Sequence, residues 1–305
     1  ADYVKFQSFK ADSLVTKYAE QAKYQKENTK TTESQFNMLK RLELSNANHF
    51  ELINECNKYN IGFLTSAFDN DGINFIKSLD LDFLKIPSGE ITNLPYLQLA
   101  ASFEKPLILS TGMATLAEID KAIQILQKYG NNRKDINILH CITEYPAPKE
   151  LINLNFIATL KKCFGLNVGY SDHTLGIEIA VAAVALGAEI IEKHITLDNN
   201  LKGPDHKASL NPQEFKTMVH AIRNVEKSLG SGIKKVTDIE IENAKVARKS
   251  LVAKKKIMKG EFFTKENIAI KRPGTGISPM RIDEIIGIKS KNVYNLDDII
   301  EINNA

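Results

Sequence analysis

The chain has 305 residues, 43% of them hydrophobic and 25% charged, a balance that suits a folded globular protein with a large core and argues against disorder. Its 40 basic and 37 acidic residues leave a net charge of +3, which argues against a nucleic-acid surface or a basic membrane face, so any anion must be held locally. Neither a long apolar run nor a signal-peptide pattern is read from the sequence, and Cys56, Cys141 and Cys163 lack metal-motif spacing; a cytoplasmic protein is expected, with Cys141 and Cys163 as buried, reduced thiols.

In chain order, short apolar runs alternate with helical patterns through the first 200 residues. The expected strands are Tyr3–Phe6, Gly62–Ser66, Phe83–Ile86, Pro106–Leu109, Ile136–Cys141, Asn167–Gly169 and Glu189–Ile195. Between them, Leu116–Tyr129 repeats Ile119, Ala122, Ile123 and Leu126 at helical spacing. A last helix begins at Asn211-Pro212, carries Phe215, Met218, Val219 and Ile222 on one face, and stops near Gly230. This rhythm predicts a (β/α)8 barrel over residues 1–230, with one further strand and helix expected ahead of Ala1. A charged linker is expected over 231–247, and a small β-rich domain over 248–305, with strands at Ser250–Ala253, Ile268–Ile270 and Ile299–Ile302.

In such a barrel the C-terminal strand ends converge on one mouth, so polar residues there are the first candidates for chemistry. His173 and His194 end successive strands, and two neutral imidazoles so placed suit one divalent transition metal. Glu192 and His194, two apart on a strand, point to the same side. His140 lies within a strand and reads as a core residue or a support for the site. Lys5 and Lys85 interrupt apolar strands, where an unpaired ammonium is costly. Together with Ser66, Ser88, Ser110 and Ser171 they would make a pocket for phosphate and carboxylate. A desolvated lysine could instead form a Schiff base, but paired lysines beside a metal site argue against that.

The motifs Val4-Lys-Phe-Gln7, Lys85-Ile-Pro-Ser-Gly-Glu-Ile-Thr-Asn93, Leu109-Ser-Thr-Gly-Met113, Val168-Gly-Tyr-Ser-Asp-His-Thr174, Ile191-Glu-Lys-His194, Gly203-Pro-Asp-His206 and Lys271-Arg-Pro-Gly-Thr-Gly276 occur in one order along the chain. In this the chain resembles the bacterial sialic acid synthase family, which includes the legionaminate synthases, and its C-terminal part resembles the family's antifreeze-like SAF domain. The resemblance implies a transferase that condenses phosphoenolpyruvate with N-acetylmannosamine and water to a nine-carbon 2-keto acid and phosphate. The alternative within the family is an N,N'-diacetyllegionaminate synthase acting on 2,4-diacetamido-2,4,6-trideoxymannose.

It further implies Mn2+ or Mg2+ held by His173, His194 and water, polarising the sugar aldehyde. Lys5, Lys85, Ser66, Ser88, Ser110, Thr143 and Ser171 would hold phosphoenolpyruvate, while Glu90, Tyr145 and Asp205 face the sugar. Glu192 is the candidate proton-transfer group, provided that its environment raises its pKa toward neutrality. The loop from Thr16 to Thr32 is expected to cover the sugar, with Asn28 in contact. Arg272 is implied to reach the neighbouring subunit's site in a swapped homodimer. The family's opening strand and its Glu-x-Gly-x-Asn-His-x-Gly stretch have no counterpart here, Thr143 replaces an asparagine of some members, and Ala67 a proline of many. A Schiff-base aldolase on the same scaffold and a non-catalytic binding protein are the rival readings.

Overall fold

In the computed structural model, which describes residues 1–302, the chain divides into two compact units, Ala1–Gly230 and Ser231–Ala305. The first is built on seven parallel strands paired in sequence order: β1 (Tyr3–Ser8), β2 (Gly62–Ala67), β3 (Leu84–Ile86), β4 (Leu107–Ser110), β5 (Ile136–Cys141), β6 (Asn167–Asp172) and β7 (Ile191–Lys193). Helices alternate with them, as parallel crossovers require. The helix Leu116–Lys128 shows why: Thr115 caps it in a capping box with Glu118, and Ile119, Ala122, Ile123 and Leu126 form its buried stripe against the sheet. Among the described residues no helix is long and apolar enough to cross a membrane.

Each strand alternates between two apolar environments, because both faces of the sheet are covered. Outward residues such as Leu84, Ile86, Leu107, Leu109, Ile136, Ile138 and Val168 pack among the helices. Inward residues Leu64, Ile108 and Leu139, with Tyr3, Phe83 and Ile190, fill the interior as a separate apolar plug. Gly169 takes part by having no side chain: a Cβ there would stand 2.4 Å from the Ile190 carbonyl oxygen and 2.5 Å from Leu139.

The plug places the site. One pleat further along each strand, two residues on, the inward position turns polar: Tyr3 gives way to Lys5, Leu64 to Ser66, Phe83 to Lys85, Ile108 to Ser110, Leu139 to Cys141 and Ile190 to Glu192. The sheet curls so that its two edge strands meet through side chains, Lys5 of β1 touching Glu192 of β7.

The second unit opens with the helix Asp238–Ala247, capped by Thr237, within the stretch expected as a linker. It continues with β8 (Ser250–Ala253) and β9 (Ile268–Lys271), which pair antiparallel. Its own core comprises Leu251, Ala253, Ile257, Phe263, Ile268, Ile285, Tyr294 and Ile300. The third strand expected at Ile299–Ile302 is not a regular strand. Ile299 makes a single bridge to Val252, and Asp297, just before it, has a left-handed φ of 72° that breaks the extended run.

Candidate active site

Glu192 lies at the centre of the polar layer. Its Oε1 is 2.7 Å from Lys5 Nζ and accepts a 2.9 Å hydrogen bond from Ser171, while Oε2 is 3.6 Å from Lys85 Nζ. Burial alone would raise the Glu192 pKa, but the Lys5 and Lys85 ammonium groups outweigh it and hold the carboxyl well below the usual carboxylate range. The condition set for Glu192 as a proton-transfer group, a pKa raised toward neutrality, is therefore not met: this carboxylate is anionic and is shared between two cations. Lys85, 2% exposed, donates to Ser110 Oγ at 2.6 Å. Burial pushes its pKa down to about 8, partly countered by Glu192.

Beside this cluster stand the two histidines. Their ring centroids are 5.4 Å apart with planes at 79°. His173 Nδ1 lies 2.6 Å from the Ile142 carbonyl, which can only accept, so Nδ1 carries the proton and Nε2 presents its lone pair on the side of Ser171 Oγ, 3.4 Å away. Burial lowers the pKa of His173. Burial, with Lys5 and His173 nearby, lowers that of His194 to about 3. Both rings are thus neutral, and one has its ligating tautomer fixed by a backbone carbonyl, the arrangement of metal-binding histidines. The pair fits a shared divalent cation, although among the described residues no third His, Cys, Asp or Glu completes a cluster.

Asp205 Oδ2 lies 3.6 Å from His194 Nδ1, and burial raises its pKa to about 6 against the opposing Lys5 charge. Asp205 and Glu90, not Glu192, are the site carboxyls whose pKa values are raised. The Tyr145 ring packs against His173 with centroids 4.1 Å apart and planes tilted by 35°, and meets His194 at 5.6 Å. Tyr24 packs against Tyr145 at 5.0 Å, also tilted, and Asn28 donates to the carbonyls of Tyr145 and Pro204 at 3.2 and 2.7 Å. The helix Lys23–Thr29 is in this way tied to two loops of the mouth.

The remaining expected residues fall around this centre. Ser66 is buried and in register with both Gln7 and Lys85. Ser88 follows β3 and accepts from the Gly112 amide at 3.0 Å. Gly112 is held to glycine by this packing, since a Cβ would stand 2.3 Å from Thr143 Oγ1 and 2.9 Å from Ser88 Oγ. Glu90 is nearly buried, accepts from Asn93 at 2.6 Å, and has its pKa raised chiefly by burial. Arg272 belongs to the second unit, where it is exposed and its Nε donates to the Ala247 carbonyl at 3.0 Å.

Of the two cysteines expected to be buried, Cys141 is buried, at the mouth, 3.3 Å from Ser88 Oγ. Cys163 is exposed, because the helix Phe156–Phe164 buries Ile157, Leu160 and Phe164 and turns Cys163 outward. Sequence reading also missed Lys193, which pairs with Asp172 behind the histidines; its signal was a charge at the outward position immediately before each histidine. His140 faces outward too, its Nε2 2.6 Å from the Ile152 carbonyl, as a supporting residue.

In sequence and in fold the chain is similar to known proteins. The chain matches the NeuB family over residues 1–234 and the SAF domain over residues 248–292. It is 52% identical over 301 residues to the N,N'-diacetyllegionaminic acid synthase of Campylobacter jejuni, covering 98% of this chain and 90% of that one. It is 48% identical to the protein of the same name from Legionella pneumophila, covering 94% and 81%. Among solved structures, the N-acetylneuraminic acid synthetase of Leptospira borgpetersenii in complex with citrate superposes with a TM-score of 0.69 at 34% identity, covering 80% of this chain and 79% of that one. The chain belongs to the NeuB family and is an enzyme of that family, with a SAF domain at its C-terminal end.

Proposed function

We propose that this enzyme condenses phosphoenolpyruvate with 2,4-diacetamido-2,4,6-trideoxymannose and water, giving N,N'-diacetyllegionaminic acid and phosphate. The observation that carries the reading is the pairing of Lys5 and Lys85 around one carboxylate beside two neutral imidazoles. Ammonium and hydroxyl groups at this density suit a small dianion, and neutral imidazoles suit a cation. The choice of sugar follows the relatives: those at 52% and 48% identity are named for the legionaminic product, which reverses the order expected from the sequence, where N-acetylmannosamine stood first.

In this reading Lys5, Lys85, Ser66, Ser88, Ser110, Thr143 and Ser171 hold the phosphate and carboxylate of phosphoenolpyruvate, displacing part of the Glu192 pairing. Glu90, Tyr145 and Asp205 face the sugar. A divalent cation held by His173 and His194, Mn2+ or Mg2+, would supply Lewis acidity at the sugar aldehyde. Carbon 3 of phosphoenolpyruvate adds to the aldehyde carbon, water adds at carbon 2, and phosphate leaves with cleavage of its C–O bond. Anionic Glu192 stabilises the positive character at carbon 2 and orients the water. Asp205, with a pKa of about 6, is placed to give a proton to the alkoxide that becomes the new hydroxyl; one proton of the adding water restores the carboxyl and the other leaves with the phosphate.

Three unpaired cysteines suit a reducing cytoplasm, and a homodimer in which Arg272 reaches the neighbour's site completes the proposal. Steady-state kinetics with both sugars tests it. The expected result is a kcat/KM for the diacetamido sugar at least tenfold above that for N-acetylmannosamine; equal or inverted values would reject the assignment.

A further inference from the structure

Behind the two histidines lies an ion pair that the reaction does not touch. Lys193 Nζ is 2.8 Å from Asp172 Oδ2, and both side chains are 0% exposed. Asp172 and Lys193 are register partners across β6 and β7, as are Ser171 and Glu192 one position earlier. Because strand residues alternate in direction, Ser171 and His173 point inward while Asp172 points outward; Glu192 and His194 point inward while Lys193 points outward. Each member of the ion pair is thus the residue immediately before one of the imidazoles.

Both groups also hold the turn that carries His173. Asp172 Oδ1 accepts from the Thr174 amide at 2.9 Å and from its hydroxyl at 2.8 Å, and Lys193 Nζ donates to the Thr174 carbonyl. The backbone on the far side of His173 is therefore held from both strands, and Ile142 holds the ring itself. A fully buried ion pair contributes little net stability compared with an apolar pair of similar volume, since desolvation offsets the attraction. What it adds here is geometric: it fixes the register of β6 on β7 and the direction of the His173 turn.

We infer that Asp172 and Lys193 are positioning residues, which hold the His173 and His194 rings at the separation needed to share one divalent cation. The inference rests on the cation reading of the histidine pair. Removal of both partners tests it, because single substitutions leave an uncompensated buried charge and risk unfolding. In the full chain, D172L/K193M is compared with wild type by Mn2+ binding, read from the free-ion paramagnetic resonance signal, and by Tm.

Wild type is expected to bind Mn2+. The double variant is expected to fold with a lowered Tm, because the buried Thr174 amide, hydroxyl and carbonyl lose their partners, while its Mn2+ affinity falls about 10- to 100-fold, the range for groups that orient metal ligands. Wild-type affinity in a folded double variant overturns the positioning role and leaves the cation reading standing. Failure of wild type to bind Mn2+ overturns both. Should the double variant not fold, T174V carries the test, since it keeps both charges and deletes one anchor of the His173 turn: a several-fold loss of Mn2+ affinity at unchanged Tm supports the inference, and unchanged affinity overturns it.

Discussion

Lys5 on β1 and Glu192 on β7 stand at opposite edges of the seven-stranded sheet, yet Lys5 Nζ lies 2.7 Å from Glu192 Oε1. The contact joins the two ends of the curled sheet at its C-terminal rim, where a closed or nearly closed parallel sheet gathers its polar residues. It also ties the fate of three charges together, since Lys85 faces the same carboxylate. A dianionic ligand that enters this space must compete with Glu192 for both ammonium groups.

Glu192→Gln separates charge from shape. With the carboxylate gone, kcat is expected to fall about 100- to 1,000-fold, the range for a lost electrostatic stabiliser, while KM for phosphoenolpyruvate does not rise, because Lys5 and Lys85 lose their internal anion. A rise in that KM with kcat preserved would show that Glu192 positions the substrate and takes no part in the chemistry.

Lys85 gives a pH dependence with a definite sign. Its pKa in the fold is lowered to about 8, so the ammonium is present below that pH and is lost as pH rises through it. Affinity for phosphoenolpyruvate is expected to weaken above pH 8, approaching about one log unit per pH unit. For stability the sign is opposite: between about 8 and the ordinary lysine value the unfolded chain binds the extra proton, so this group favours the fold more as pH rises. Lys85→Met removes a charge-assisted contact of about 1.5–3 kcal/mol, and KM for phosphoenolpyruvate is expected to rise roughly 10- to 150-fold. A flat KM profile between pH 7 and pH 9 in wild type would contradict the placement of this lysine.

Asn28 ties the helix Lys23–Thr29 to the Tyr145 and Pro204 carbonyls. Asn28→Ala loses both hydrogen bonds, about 1 kcal/mol each. KM for the sugar is expected to rise several-fold with KM for phosphoenolpyruvate unchanged. Equal effects on both substrates would place this helix over the whole mouth and not over the sugar side.

Gly169→Ala tests the interior plug. The new Cβ would meet the Ile190 carbonyl oxygen at 2.4 Å, a backbone atom that cannot rotate away. Thermal or urea unfolding is expected to show a loss of about 1–3 kcal/mol. An unchanged midpoint would mean that β6 and the Ile190 backbone separate at no cost.

Much of this was legible in the sequence, for a physical reason. Parallel strands covered on both faces stand out as apolar runs, and a lysine or histidine that ends such a run declares itself. Lys5, Lys85, His173 and His194 were found that way. Protonation was not legible: burial argues for a neutral Glu192, and only the arrival of Lys5 from the far edge of the sheet reverses it. Lys193 was hidden because its partner Asp172 lies on another strand, and a charge inside a strand does not name its counter-ion. Cys163 was misread because an apolar neighbourhood in sequence does not say which side of a helix a residue takes. Ile299–Ile302 has the composition of a strand, but the left-handed Asp297 before it could be seen only in the fold.

The most direct measurement is phosphate release from phosphoenolpyruvate by the full chain, with the diacetamido sugar and Mn2+ each present or withheld. Release is expected only when sugar and cation are both supplied, with phosphate and the nine-carbon keto acid formed one to one. Release without sugar, or release indifferent to chelation of the metal, would contradict a site in which two imidazoles and two ammonium groups bring a cation and an enol phosphate together.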